Sequence, residues 1–115
     1  AVGEGFVEAV ESDQEQSPAT RQKVEAVIEP LIKSGVDVIV LGCTHYPFLK
    51  SVIRNVVGER GVQIIDSGEA VEKRVESLLD KYDIRASEEN DAQYEFLTFA
   101  DDDYRERLRR KAFGE

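Results

Sequence analysis

The apolar positions of this chain change period along its length. Phe6-Val7-Glu8-Ala9-Val10 is a short apolar patch that predicts one or two helical turns, and Ser12 to Ser17 is a polar loop. Val24, Val27, Ile28 and Leu31 then follow the i, i+3, i+4, i+7 spacing of one helical face. Ser17-Pro18 supplies a cap and a first helical residue. The pattern predicts an amphipathic helix from Pro18, kinked at Pro30 and ended by Gly35. Val36-Asp37-Val38-Ile39-Val40-Leu41 is almost continuously apolar, as expected of a buried parallel strand. Pro47 suits the first turn of a helix that continues to about Val57.

Gly58 and Gly61 bracket a turn, and Val62-Gln63-Ile64-Ile65 reads as a second strand. Asp66-Ser67-Gly68 is its exit. Ser67 is the expected cap of a helix from Glu69 to about Lys81, with Val71, Val75, Leu78 and Leu79 as its buried stripe. Ile84 to Ala92 is loop-like. Tyr94 to Phe99 is aromatic and strand-like. Asp101 or Asp102 caps a last helix whose Tyr104, Leu108 and Ala112 face one way. Strand and helix alternate, so the expected class is α/β with a mostly parallel sheet.

The 115 residues are enough for one small domain with its own core. Apolar residues at 41% and charged ones at 34% place the chain among soluble globular proteins. The net charge of −9 argues against nucleic-acid binding, because a phosphate backbone needs a cationic face. An anionic small substrate stays compatible, since a local site can be positive in an acidic protein. One cysteine makes no internal disulfide, which suits a reducing compartment. No apolar run is long enough to span a bilayer, and no signal peptide is visible. The chain opens on Ala1 and has no methionine, as expected of a piece of a longer product.

The chemistry concentrates in Leu41-Gly42-Cys43-Thr44-His45-Tyr46-Pro47, which holds the single cysteine and the single histidine. Cys43 falls between a predicted strand and a predicted helix. That carboxyl edge is where open α/β sheets bind ligands, and a helix dipole directed at it favours thiolate over thiol. A lone cysteine there is also a common small packing residue. Its neighbours shift the balance. Gly42 allows close approach to the backbone. Thr44 offers a hydroxyl and an amide to a carboxylate. His45 exchanges protons near neutral pH.

Asp66-Ser67-Gly68 reads as helix capping, and Glu11 alone as a solvated acid. Arg107, Arg109, Arg110 and Lys111 read as a helix face paired with nearby acids. No CxxC, glycine-rich phosphate loop or HExxH occurs, so metal, nucleotide and disulfide chemistry have no sequence support.

Gly42-Cys43-Thr44-His45-Tyr46-Pro47 resembles the glutamate racemases of the aspartate/glutamate racemase superfamily. The likeness extends to Phe6–Glu11 (family "FVPLVE"), Val62–Glu69 ("V-x-L-I-D-S-G-A-E"), Phe96-Leu97-Thr98 ("F-x-T") and Arg109–Gly114 ("R-F-L-G"). The resemblance implies an amino-acid racemase without pyridoxal phosphate or metal. Two cysteines face each other across the α-carbon, one removing the proton and the other returning it to the opposite face. Cys43 matches the second thiol. His45 matches the histidine that assists it, Glu11 the acid nearby, and Thr44, with Gly42, the substrate-binding positions. Ala1-Val2-Gly3-Glu4-Gly5 departs from the family's "A-C-P-L".

The family is more than twice as long and carries its other cysteine in the half that is missing here. Its two similar three-layer α/β domains imply that residues 1–65 complete the second domain and 66–115 return to the first. The implied partners are L- and D-glutamate and the missing N-terminal half, with no nucleic acid and no membrane, and a homo-oligomer as an open outcome. The implied setting is the cytoplasm, with D-glutamate supplied to peptidoglycan. The isolated piece is expected to be inactive. Rival expectations are a relative acting on aspartate, hydantoin or maleate, a non-catalytic self-associating α/β fragment, and a redox thiol sensor.

Overall fold

A computed structural model describes residues 1–87 and 89–114. They form two compact units, Ala1–Tyr82 and Asp83–Glu115. The first unit runs α1 (Phe6–Glu11), α2 (Pro18–Lys33), β1 (Val38–Leu41), a 3₁₀ turn (Tyr46–Leu49), α3 (Lys50–Val57), β2 (Gln63–Asp66) and α4 (Gly68–Tyr82). The second holds α5 (Asp102–Phe113).

Helix α2 starts where the sequence places it. The Ser17 hydroxyl oxygen accepts from the Thr20 amide at 3.1 Å, and Pro18 opens the first turn. The helix runs on through Pro30 to Lys33. Gly35 ends it at φ +84°, a left-handed conformation that costs glycine little.

Strands β1 and β2 pair in parallel, from Val38 opposite Gln63 to Leu41 opposite Asp66. The 3₁₀ turn and α3 form the crossover between them, the βαβ unit that parallel pairing requires. The helix predicted from Pro47 thus begins as a 3₁₀ turn and becomes α-helical only at Lys50.

Ile39 and Leu41 point into a core built with Val24 and Ile28 of α2, Val52, Ile53, Val56 and Val57 of α3, Leu49, and Phe6 and Val10 of α1. Each such side chain stabilises by roughly 1.5–3 kcal/mol when fully buried. Arg60, in the turn before β2, grips Glu29 of α2 through two nitrogens at 2.8 and 3.0 Å. That fork holds the Glu29 carboxyl below the usual glutamate range.

Three expectations are corrected. First, β1 is buried on one face only. Val38 and Val40 point away from the helices, and Val40 is 69% exposed. Helices α2 and α3 cover one side of this two-stranded sheet, and among the described residues of this chain the other side has no cover. Second, the stripe on α4 is not buried. Val71 and Val75 are exposed, and Leu78 and Leu79 are half-buried. The apolar period of a helix marks a face that needs a partner, and among the described residues α4 buries none of its side chains.

Third, Tyr94–Phe99 forms no strand. A strand needs a neighbouring backbone for its amides and carbonyls. Here the aromatics turn to α5 instead. Tyr94 and Phe96 meet Phe113 edge-to-face at 5.0 and 5.8 Å between ring centres. Asp101 caps α5 by accepting from the Tyr104 amide at 2.9 Å. On the predicted face, Tyr104 and Leu108 are half-buried and Ala112 is exposed. The basic residues of α5 pair along the helix, Arg107 with Asp103 and both Arg109 and Arg110 with Glu106.

Candidate active site

The loop Gly42–His45 leaves the carboxyl end of β1, and the register puts the end of β2 beside it. Cys43 is half-buried there. It shares an open concavity of about 470 Å³ with Gly42 and Thr44, with Ile65, Asp66 and Ser67 from the end of β2, and with Ala70 of α4. The thiol therefore borders a cavity at the sheet's rim and is not sealed in the core. A Cβ built on Gly42 meets open space, so packing within this chain does not demand glycine at that position.

Glu11 and His45 come together although 34 positions separate them in sequence (45 − 11). Helix α1 is docked by the edge-to-face pair of Phe6 and Tyr46, 5.4 Å between ring centres, with Phe6 buried. That contact carries Glu11, the last residue of α1, to the loop. His45 Nε2 lies 3.4 Å from Glu11 Oε1. His45 Nδ1 lies 3.3 Å from Thr44 Oγ1. A neutral ring satisfies both neighbours with its proton on Nε2, facing the carboxylate, and with Nδ1 accepting from the threonine hydroxyl. The histidine thus joins Glu11 to Thr44, and Thr44 borders the concavity beside Cys43.

In sequence Asp66 carries only a capping signal, and Lys50 carries no site signal. Asp66 Oδ1 accepts from the Gly68 amide at 3.0 Å, so Asp66, not the expected Ser67, supplies the side-chain bond at the start of α4. Its other oxygen, Oδ2, lies 2.5 Å from Lys50 Nζ. The ammonium, followed by the Gly68 amide, holds the Asp66 carboxyl below the usual aspartate range, against partial desolvation that raises it. The cause is topological. Two adjacent parallel strands deliver their exit residues to one edge, so a motif after each strand lands in one site.

No cluster of histidine, cysteine and carboxylates among the described residues is arranged to hold a metal ion. No helix among them is long and apolar enough to cross a membrane.

Residues 3–75 match the family described as Asp/Glu/Hydantoin racemase, well over half of the chain. The chain belongs to that family. Among its relatives, the glutamate racemase of Herpetosiphon aurantiacus is 42% identical over 97 residues, covering 84% of this chain and 38% of that protein. The glutamate racemase of Listeria monocytogenes is 38% identical over 93 residues, covering 81% of this chain and 35% of that protein. Among solved structures, glutamate racemase isoform RacE1 from Bacillus anthracis superposes with a TM-score of 0.79 at 31% identity, over 96% of this chain and 41% of that one. The Thermus thermophilus glutamate racemase, solved with β-chloro-D-alanine, gives 0.73 at 30% identity, over 90% and 40%.

The chain therefore spans about two fifths or less of these racemases. Their names describe glutamate racemases, which are amino-acid racemases, and their α/β fold is that of this chain.

Proposed function

We propose that this chain is the C-terminal, Cys43-bearing portion of a cofactor-independent glutamate racemase. The observation that carries the reading is the meeting of Cys43, Thr44, His45 and Glu11 at the carboxyl edge of β1, beside an open concavity. In this reading glutamate lies with its α-carbon between the Cys43 sulfur and a second thiol on the remainder of the protein. One thiolate takes the α-proton. The electron pair left on carbon delocalises into the α-carboxylate. The facing thiol then delivers its proton to the opposite side, which inverts the centre and regenerates one thiol and one thiolate. A thiol suits both roles because its ordinary pKa lies close enough to neutrality to act as base or acid.

Thr44, with the Gly42 backbone, binds the amino acid's polar groups. His45, steadied by Glu11, assists proton traffic on the Cys43 side. Residues 1–65 complete one racemase domain and 66–115 return to the other. The bare apolar positions Val40, Ile65, Val71 and Val75 fit this arrangement, as faces seated against the missing N-terminal half. The product serves peptidoglycan in the cytoplasm.

The test is glutamate in deuterium oxide. The 115-residue chain is expected to leave it unchanged, and sustained racemisation with α-deuteration would refute the need for a second thiol. The full-length protein is expected to racemise glutamate and to lose about 10²–10⁴-fold on Cys43→Ala, the scale of one acid/base group. Undiminished turnover in that variant, or turnover of aspartate or hydantoin in place of glutamate, overturns the assignment.

A further inference from the structure

The ladder between β1 and β2 ends at Leu41 and Asp66. Beyond it one exit segment leads into the Cys43 loop and the other into α4, and both line the concavity. Backbone pairing no longer sets the distance between them. Among the described residues of this chain α4 has no fully buried side chain to hold its entry in place. One carboxylate bridges the gap. Asp66 Oδ2 takes the ammonium of Lys50, the first residue of the helix after the Cys43 loop, at 2.5 Å. Asp66 Oδ1 takes the Gly68 amide, in the first turn of α4, at 3.0 Å. Both partners are sheltered, Asp66 at 15% and Lys50 at 29% side-chain exposure, which sets the pair apart from the open ion pairs on α4 and α5. A sheltered charged pair with two hydrogen-bonded ends holds geometry better than an exposed one.

We propose that Lys50 and Asp66 are positioning residues, a clamp that sets the width of the substrate concavity beside Cys43 by tying the start of α3 to the start of α4. Lys50 is not among the residues lining the concavity, and Asp66 lines it at the foot of α4. They act through Ser67 and the α4 entry on one side and the Cys43–Thr44 segment on the other. The kinetic half of the test rests on the racemase reading above; the structural half does not.

In the 115-residue chain, Lys50→Met and Asp66→Asn each free the α4 entry. Native-state amide exchange at Val71, whose amide bonds to the Ser67 carbonyl, is expected to quicken about tenfold, while amides of β1 keep their rates. Lys50→Arg, which keeps the cation, is expected to restore slow exchange. Asn at 66 still accepts from Gly68, so that variant isolates the Lys50 contact. Because the two residues act as one unit, the double variant is expected to match the worse single variant. Unchanged exchange at Val71 in both single variants refutes the clamp. So does an equal rise at β1, which marks plain loss of stability.

In the full-length protein, Lys50→Met is expected to raise KM for glutamate about tenfold with kcat within about threefold, the signature of binding weakened equally in the ground and transition states by a loosened concavity. Lys50→Arg is expected to rescue KM. An active wild type with KM unmoved in Lys50→Met refutes the clamp. A wild type with no glutamate turnover refutes the racemase reading and leaves the exchange result to judge the clamp.

Discussion

Leu49→Ala tests the packing under the site most directly. Leu49 ends the 3₁₀ turn that follows His45, and none of its surface is exposed. It joins the Cys43–His45 loop to the core made by α2 and α3. Truncation removes three carbons from a filled interior. At about 0.8 kcal/mol per buried carbon, the transfer loss is roughly 2.4 kcal/mol. The void adds to this, because the 3₁₀ turn and α3 collapse only in part, and the total comes to about 3–4 kcal/mol. Amide exchange at Ile53 and Ile28 reads the opening of this unit without a contribution from the α5 unit. A loss of that size speeds exchange by two to three decades, at about 1.4 kcal/mol per decade. Val40→Thr is the control. Val40 is one of the exposed strand residues, and its replacement is expected to cost about 0.5 kcal/mol or less. A Leu49→Ala penalty below about 1 kcal/mol, or one equal to that of Val40→Thr, would refute the packing described here.

Other outcomes follow from the same geometry. Gly3→Ala places a Cβ 2.4 Å from Phe6 Cδ2 and 2.8 Å from the Tyr46 hydroxyl oxygen. The ring pair must shift, at a cost of about 1–3 kcal/mol, and displaced Phe6 and Tyr46 ring proton signals would report it; unmoved signals would contradict the contact. Asp66 and Glu29 both have carboxyls held below their ordinary values. Their stabilising contribution is therefore complete at neutral pH and is lost as pH falls from about 4 down through the lowered folded values. Asp66→Asn and Glu29→Gln are each expected to flatten the acid limb of a thermal-melting profile, and a limb as steep as wild type would count against them. Ser17→Ala removes the N-cap of α2 and is expected to cost about 1 kcal/mol in denaturant unfolding; no change would mean that the cap bond is not formed in solution.

The parts legible in the sequence are those that depend on near neighbours. Ser17-Pro18 announces α2 because a cap and a fixed φ act within one turn. The β1 run and the glycines at 58 and 61 place a strand, a turn and a second strand for the same reason. The family motif placed Cys43, Thr44 and His45 together because they are adjacent in the chain. Glu11 entered through the resemblance alone, and the fold then brought it to His45 by docking Phe6 against Tyr46.

Other features depended on which faces find partners. The apolar period of Val71, Val75, Leu78 and Leu79 states that one side of α4 avoids water, but not what covers it. The aromatic run Tyr94–Phe99 has the composition of a strand, yet a strand forms only beside another strand, and its rings settled on Phe113. Asp66 supplies the bond at the start of α4, a local role, but only parallel pairing sets the end of β2 beside the Cys43 loop, within reach of Lys50.

By itself, then, the order of residues determined α2, the strands β1 and β2 and the adjacency of Cys43, Thr44 and His45 after β1, because backbone preference and side-chain period are local quantities. Only the folded chain decided that Glu11 meets His45, that Asp66 meets Lys50, and that one sheet face stays bare. Those outcomes turn on distances between segments far apart in sequence, which no local pattern encodes.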